Sequence, residues 1–293
     1  MRIMVESSGD RQFRILDWGR RRVLWIDSER IEECLRFYRH EKLDGVVICP
    51  PEYRRKDIEF LREHPYIQGV VFLLFVRVDL SPLQALKDLR FLSYEDCRQP
   101  VDLSVFPRLE EVRVDWHAGL QLPEHSRALR ILALWKYKPS SRDLTELPDL
   151  PELEELVMVQ SPLTSIDGVE RYRTLKRLEL SYLTRLERIG AIAGLAGSGL
   201  EELDCLKCKR ITDHSAVRAL SSLKILRFNG CGQMPDIRFL DDMSNLEDFR
   251  FVNTDVVNGD LRPCLRLKGV GFTRKKHFSH TPKEVKKIIE HDA

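Results

Sequence analysis

Leu153-Glu-Glu-Leu156-Val-Met158-Val-Gln-Ser-Pro-Leu163 is followed, 22 residues after its start, by Leu175-Lys-Arg-Leu178-Glu-Leu180. Both open with the hexad L-x-x-L-x-apolar. A fixed period in this range marks a repeat array. Sliding the hexad along the chain gives eleven matches, starting at Leu43, Ile67, Leu89, Leu109, Leu129, Leu153, Leu175, Leu200, Leu223, Leu246 and Leu267. The intervals are 24, 22, 20, 20, 24, 22, 25, 23, 23 and 21 residues. Chance supplies one or two such hexads, not eleven in register.

Strand alternation gives the hexad its physical meaning. Successive side chains of a strand point to opposite faces. The fourth and sixth residues therefore enter a core, while the third, fifth and seventh face out. One repeat buries about four apolar side chains at ~1.5–3 kcal/mol each. It must also fix about 20 residues at ~1–2 kcal/mol each. A single repeat loses that balance, so the array is stable only through the core its neighbours share.

The hexads resemble the leucine-rich-repeat family, L-x-x-L-x-L-x-x-N/C-x-L. The resemblance spans about four-fifths of the chain. Its most specific piece is Leu200-Glu-Glu-Leu203-Asp-Cys205-Leu-Lys-Cys208-Lys-Arg-Ile211-Thr212-Asp213, which is similar to the cysteine-containing subclass. The ninth position holds Cys97, Ser161, Cys208, Cys231 and Thr254, but also Pro51, Phe75, His117, Tyr137, Leu183 and Lys275, so the array is irregular. The resemblance implies an α/β leucine-rich-repeat solenoid, or horseshoe. A parallel β-sheet would line its concave face, and short helices and turns its convex face. It also implies non-enzymatic protein–protein recognition by a scaffold, adaptor, effector or immunity-type binder. The alternative is the substrate-recognition subunit of a larger enzyme complex such as a ubiquitin ligase.

Composition narrows the class. The 48 basic and 46 acidic residues leave a net charge of +2, so nothing draws the whole chain toward nucleic acid or an anionic membrane. The seven scattered cysteines are an odd number and do not suggest a disulfide framework. Residues 1–10 lack the apolar core of a signal peptide. The longest apolar run, Val70–Val76, is too short for a membrane helix and reads as a buried strand. A cytoplasmic monomer is expected, with export as an effector the alternative.

The expected division is an N-terminal capping segment over 1–42, eleven repeats over 43–278 and a capping helix over 279–293. In the first segment, Phe13–Trp18 and Val23–Ile26 read as two strands. Asp27-Ser28 would cap a helix whose Ile31, Cys34, Leu35 and Tyr38 form an apolar stripe. At the other end, Thr281-Pro282-Lys-Glu284 reads as a capping box with proline at the first helical position.

The outward positions supply the candidate site. Trp135, at a seventh position, has no core to fill there. The expected partner-binding set is Trp135 with Trp116, Tyr137, Arg113, Arg177, Glu179, Arg227 and Arg250. Tryptophan, tyrosine and arginine dominate interface energetics. The competing reading is that the interleaved glutamates and arginines simply pair with one another. Gly45, Gly69, Gly269 and Gly271 near the ends of the sheet would offer a partner little to grip. Cys205-x-x-Cys208 lacks a second ligand pair at zinc spacing, and no phosphate loop, nucleophile elbow or zinc-protease motif occurs. No cofactor, metal or catalytic residue is expected. The partner is expected to be another protein, with neither nucleic acid nor membrane involved.

Overall fold

The computed structural model describes residues 2–8, 11–73, 78–97 and 99–292. The chain forms two compact units, Met1–Glu124 and His125–Ala293. All eleven hexads become strands, and each strand starts at the third hexad position.

In the first unit, β1 (Arg2–Ser8), β2 (Arg11–Trp18) and β3 (Arg21–Trp25) pair antiparallel in succession. The sequence reading missed β1, which has no hexad to mark it. Strands β4 (Gly45–Ile48), β5 (Gly69–Phe72) and β6 (Phe91–Tyr94) then add in parallel beyond β3. Two short strands, β7 (Val101–Asp102) and β9 (Leu120–Gln121), pair separately, and β8 (Glu111–Asp115) follows β6 in the main sheet. β5 covers the start of the Val70–Val76 run; Leu74–Val76 lie outside the described residues.

Helix α1 (Ile31–His40) buries Ile31, Cys34, Leu35 and Tyr38, the stripe read from the sequence. The capping differs. Arg30 is the N-cap and gives no side-chain cap bond. Ser28 donates its hydroxyl to the Glu52 carbonyl at 3.3 Å and accepts from the Arg54 amide at 3.1 Å, tying down the loop after β4 instead. A one-turn helix, α2 (Phe60–Glu63), precedes β5.

The second unit stacks seven parallel strands: β10 (Ile131–Trp135), β11 (Glu155–Val159), β12 (Arg177–Ser181), β13 (Glu202–Leu206), β14 (Ile225–Asn229), β15 (Asp248–Phe251) and β16 (Gly269–Phe272). Identical hexad positions face one another. Leu156 pairs with Leu178, Leu178 with Leu203, and Leu203 with Leu226. All four are fully buried, each contributing ~1.5–3 kcal/mol. The helical side is built from short 3-10 turns such as His214–Ala219. Helix α3 (Pro282–Asp292) closes the unit through Val285. Its capping box forms as read: Glu284 N–H donates to the Thr281 hydroxyl at 3.3 Å, and Thr281 N–H to the Glu284 carboxylate at 2.7 Å.

Two features terminate the strands. At the eighth hexad-frame position the backbone turns left-handed in six successive repeats: Lys136, Gln160, Tyr182, Lys207, Gly230 and Asn253, with φ of 53–63°. The amide of each of the first five donates to a carbonyl one repeat on, as from Gln160 to Ser181 at 3.0 Å. None of the six is β-branched, the class that tolerates this conformation least. At the ninth position, Cys208 Sγ donates to the Leu180 carbonyl and Cys231 Sγ to the Cys205 carbonyl, each at 3.2 Å. Thr254 Oγ1 continues the row onto the Phe228 carbonyl.

Candidate recognition face

The two units treat their outward sheet faces differently. In the first unit the face is covered by its own side chains. Leu16, Val23, Trp25, Val47, Cys49, Val71 and Phe91 form a buried apolar cluster, flanked by Trp18 and Leu73. Phe91 is the third residue of the hexad that starts at Leu89, an outward position by alternation, yet it is fully buried. Its ring lies across Gly69 and reaches Gly45: a Cβ at Gly69 would sit 1.9 Å from two ring carbons, and one at Gly45 would sit 2.5 Å from the ring tip. These two glycines are therefore seats for Phe91 rather than bare surface. Trp18 stacks on Phe91 with centroids 5.5 Å apart, and the Arg21 guanidinium lies 4.5 Å above the same ring. From there Arg21 reaches Glu110 and Glu111, both at 3.2 Å.

Two members of the expected site belong to this covered face or its margin. Arg113 binds Glu111 at 2.6 Å and lies 5.9 Å from the Trp18 ring centroid. Trp116 is half-buried just past β8.

In the second unit the face is partly exposed and has two zones. On β10 and β11, Ile131, Trp135 and Val159 are half-buried, and the outward Ala133 and Val157 between them are buried. On β12 to β14 the outward residues include five charged side chains, Arg177, Glu179, Glu202, Asp204 and Arg227, beside the uncharged Ser181, Leu206, Ile225 and Asn229. Arg177 binds Glu179 at 2.6 Å and Glu155 at 3.1 Å, and its Nε lies 3.6 Å from Glu202. Arg227 binds Glu202 and lies 3.5 Å from Asp204. The charges thus pair with one another, as the competing reading required. Arg250, further along, is exposed and chelated by Asp248 at 2.9 and 3.1 Å. Asp248 also leans over Gly269, where a Cβ would meet its carboxylate at 2.5 Å.

Tyr137 needs correction as a binding residue. It is 5% exposed, and burial pushes its phenol well above the usual range. Beyond the αL turn at Lys136 the chain dives inward and carries Tyr137 with it. Glu155, Glu202 and Asp204 were outward by the hexad count but were not placed in the site. The structure joins them to Arg177 and Arg227, and the signal for that was their register between adjacent repeats. Cys205 is buried in the core, and Cys208 donates to the Leu180 and Leu206 carbonyls.

No protein-family model and no curated protein matches the chain. Solved structures do. An internalin (InlF) from Listeria monocytogenes is 18% identical, covers 77% of this chain and 75% of its own, and superposes with a TM-score of 0.50. The functional domain of InlJ from the same organism, which includes a cysteine ladder, is 16% identical over 70% of this chain and 49% of its own, with a TM-score of 0.49. A leucine-rich-repeat protein of Leptospira interrogans is 16% identical over 85% and 76%, with a TM-score of 0.46. With eleven hexads in register as parallel strands and short 3-10 turns between them, this chain has the leucine-rich-repeat fold.

Proposed function

We propose that this chain is a non-enzymatic recognition module that binds another protein on the outward sheet face of its second unit, with Trp135 as the anchor. The observation that carries this reading is the half-buried indole of Trp135 at an outward position beside Val159, with the charged residues of β12 to β14 on the strands that follow. A large aromatic ringed by polar groups is the usual energetic centre of an interface. The first unit's face supports the choice by contrast, since its apolar residues already bury one another. We further propose that the module works in the cytoplasm, where its seven buried, unbridged cysteines would stay reduced.

The test needs a partner, which affinity purification from source lysate supplies. Titration calorimetry then compares Trp135→Ala with Arg218→Ala, a control on the exposed helical side. Trp135→Ala is expected to weaken binding by about 2 kcal/mol or more and Arg218→Ala to leave it unchanged. A folded Trp135→Ala protein that binds as tightly as wild type refutes the assignment.

A further inference from the structure

The charged zone beside Trp135 is not electrically balanced. Three carboxylates, Glu179, Glu202 and Asp204, share two guanidiniums, Arg177 and Arg227, and Arg177 is drawn on by Glu155 as well. All six side chains are only 21–28% exposed, so water screens the excess weakly. The deficit has a definite place. Glu179 and Asp204 are direct cross-strand partners on β12 and β13. Like charges in that relation repel. Arg177 lies between Glu155 and Glu202 in one row and also reaches Glu179, and Arg227 divides a single nitrogen between Glu202 and Asp204. Burial pushes the Asp204 carboxyl up, Arg227 opposes this, and the neighbouring Glu179 adds to the rise.

We infer that the partner presents a lysine or arginine beside an apolar side chain, the cation seated between Glu179 and Asp204 and the apolar group on Trp135 and Val159. This inference rests on the recognition face proposed above and adds the chemistry of its occupant. The apolar zone on β10 and β11 and the carboxylate pair on β12 and β13 are neighbours at the ~4.8 Å strand spacing, so one short segment spans both. An ammonium or guanidinium supplies the missing positive charge in a region of reduced dielectric, where pairing is stronger than in bulk water. A polyanion such as nucleic acid would be repelled by the same surplus. A bare metal ion fits less well, because no group of three or more metal-ligating side chains converges among the described residues.

A displayed library of random dodecapeptides, panned on the full chain, tests the occupant's chemistry. Synthetic versions of the enriched peptides are then titrated against wild type, Glu179→Gln with Asp204→Asn, and Trp135→Ala. The expected winners carry Lys or Arg next to a large apolar residue. They should lose tenfold or more in affinity on the Glu179→Gln, Asp204→Asn protein, whose thermal melt stays like wild type, and weaken in about 0.5 M salt. Winners that are acidic or neutral, or indifferent to the charge variant while still needing Trp135, overturn this inference and leave the face intact. Winners indifferent to both variants, or panning that enriches nothing, overturn the face and the inference together.

Discussion

Replacing Gly69 by alanine tests whether the first unit's outward face is a packed secondary core. The new Cβ would lie 1.9 Å from Phe91 Cε1 and Cζ. Carbon atoms pack at ~3.5–4.0 Å, so the ring must retreat by about 2 Å. It has nowhere to go at low cost: Trp18 stacks on it, Arg21 covers it, and Arg21 is pinned by Glu110 and Glu111. Overpacking of this kind costs ~1–3 kcal/mol, occasionally more, and the top of that range applies because Trp18 and the tethered Arg21 must move with the ring. Alanine's lower backbone entropy in the unfolded chain returns ~0.4–1 kcal/mol. The expected net loss is about 2 kcal/mol, read from urea melts followed by circular dichroism. Phe91→Leu removes the ring edge that meets the new methyl, so Gly69→Ala should cost at least ~1 kcal/mol less in that background. A Gly69→Ala protein as stable as wild type, or one whose loss is the same in the Phe91→Leu background as in wild type, refutes the proposed seat.

Three further perturbations probe other parts of the fold. Leu178→Ala should cost ~2–5 kcal/mol by leaving a cavity in the buried column, whereas Glu179→Ala, its outward neighbour, opens no core cavity and should cost clearly less; equal losses in denaturant would break the register. Gln160→Val should cost ~1–2 kcal/mol because a β-branched residue resists its φ of 53°, while Gln160→Gly should stay within about 0.5 kcal/mol of wild type; thermal melts of the two variants separate the outcomes. His214 is 2% exposed, both ring nitrogens lack partners among the described residues, and burial pulls its pKa from 6.5 to about 4. The unfolded chain therefore takes up that proton first, and folding stability should fall by up to about 3 kcal/mol as pH drops from the unfolded value to the folded one. His214→Leu should flatten that part of the profile, and an unchanged slope between about pH 7 and pH 4.5 would refute the role.

The repeat strands were legible because one rule, an apolar residue at every fourth and sixth hexad position, was imposed eleven times. Leu156, Leu178, Leu203 and Leu226 then had to stack. The capping box at Thr281 was legible for a similar reason, since both halves of the motif lie within four residues. What stayed hidden depends on pairs far apart in sequence. Arg21 and Glu111 are 90 residues apart, and no local pattern links them. Phe91 and Gly69 belong to adjacent hexads, but only the ring's direction shows that the glycine is its seat. Strand β1 carries no hexad and makes antiparallel bonds, so the repeat register could not find it.

The same reasoning separates the two outward faces. Alternation says only that a side chain leaves the core; it does not say that the side chain reaches solvent. Where consecutive outward residues are Val47, Val71 and Phe91, with small glycines between them, they can bury one another, and covering them with Trp18 and Arg21 removes apolar surface from water. Where the outward residues are Glu179, Asp204 and Arg227, desolvating them has no such reward, and they stay half-exposed as a paired field. Trp135 lies among apolar outward neighbours in the second unit, yet it remains half-buried at its own seventh position. An outward aromatic is therefore a candidate anchor only where its own unit leaves it accessible. In this chain that condition separates Trp135 from Phe91.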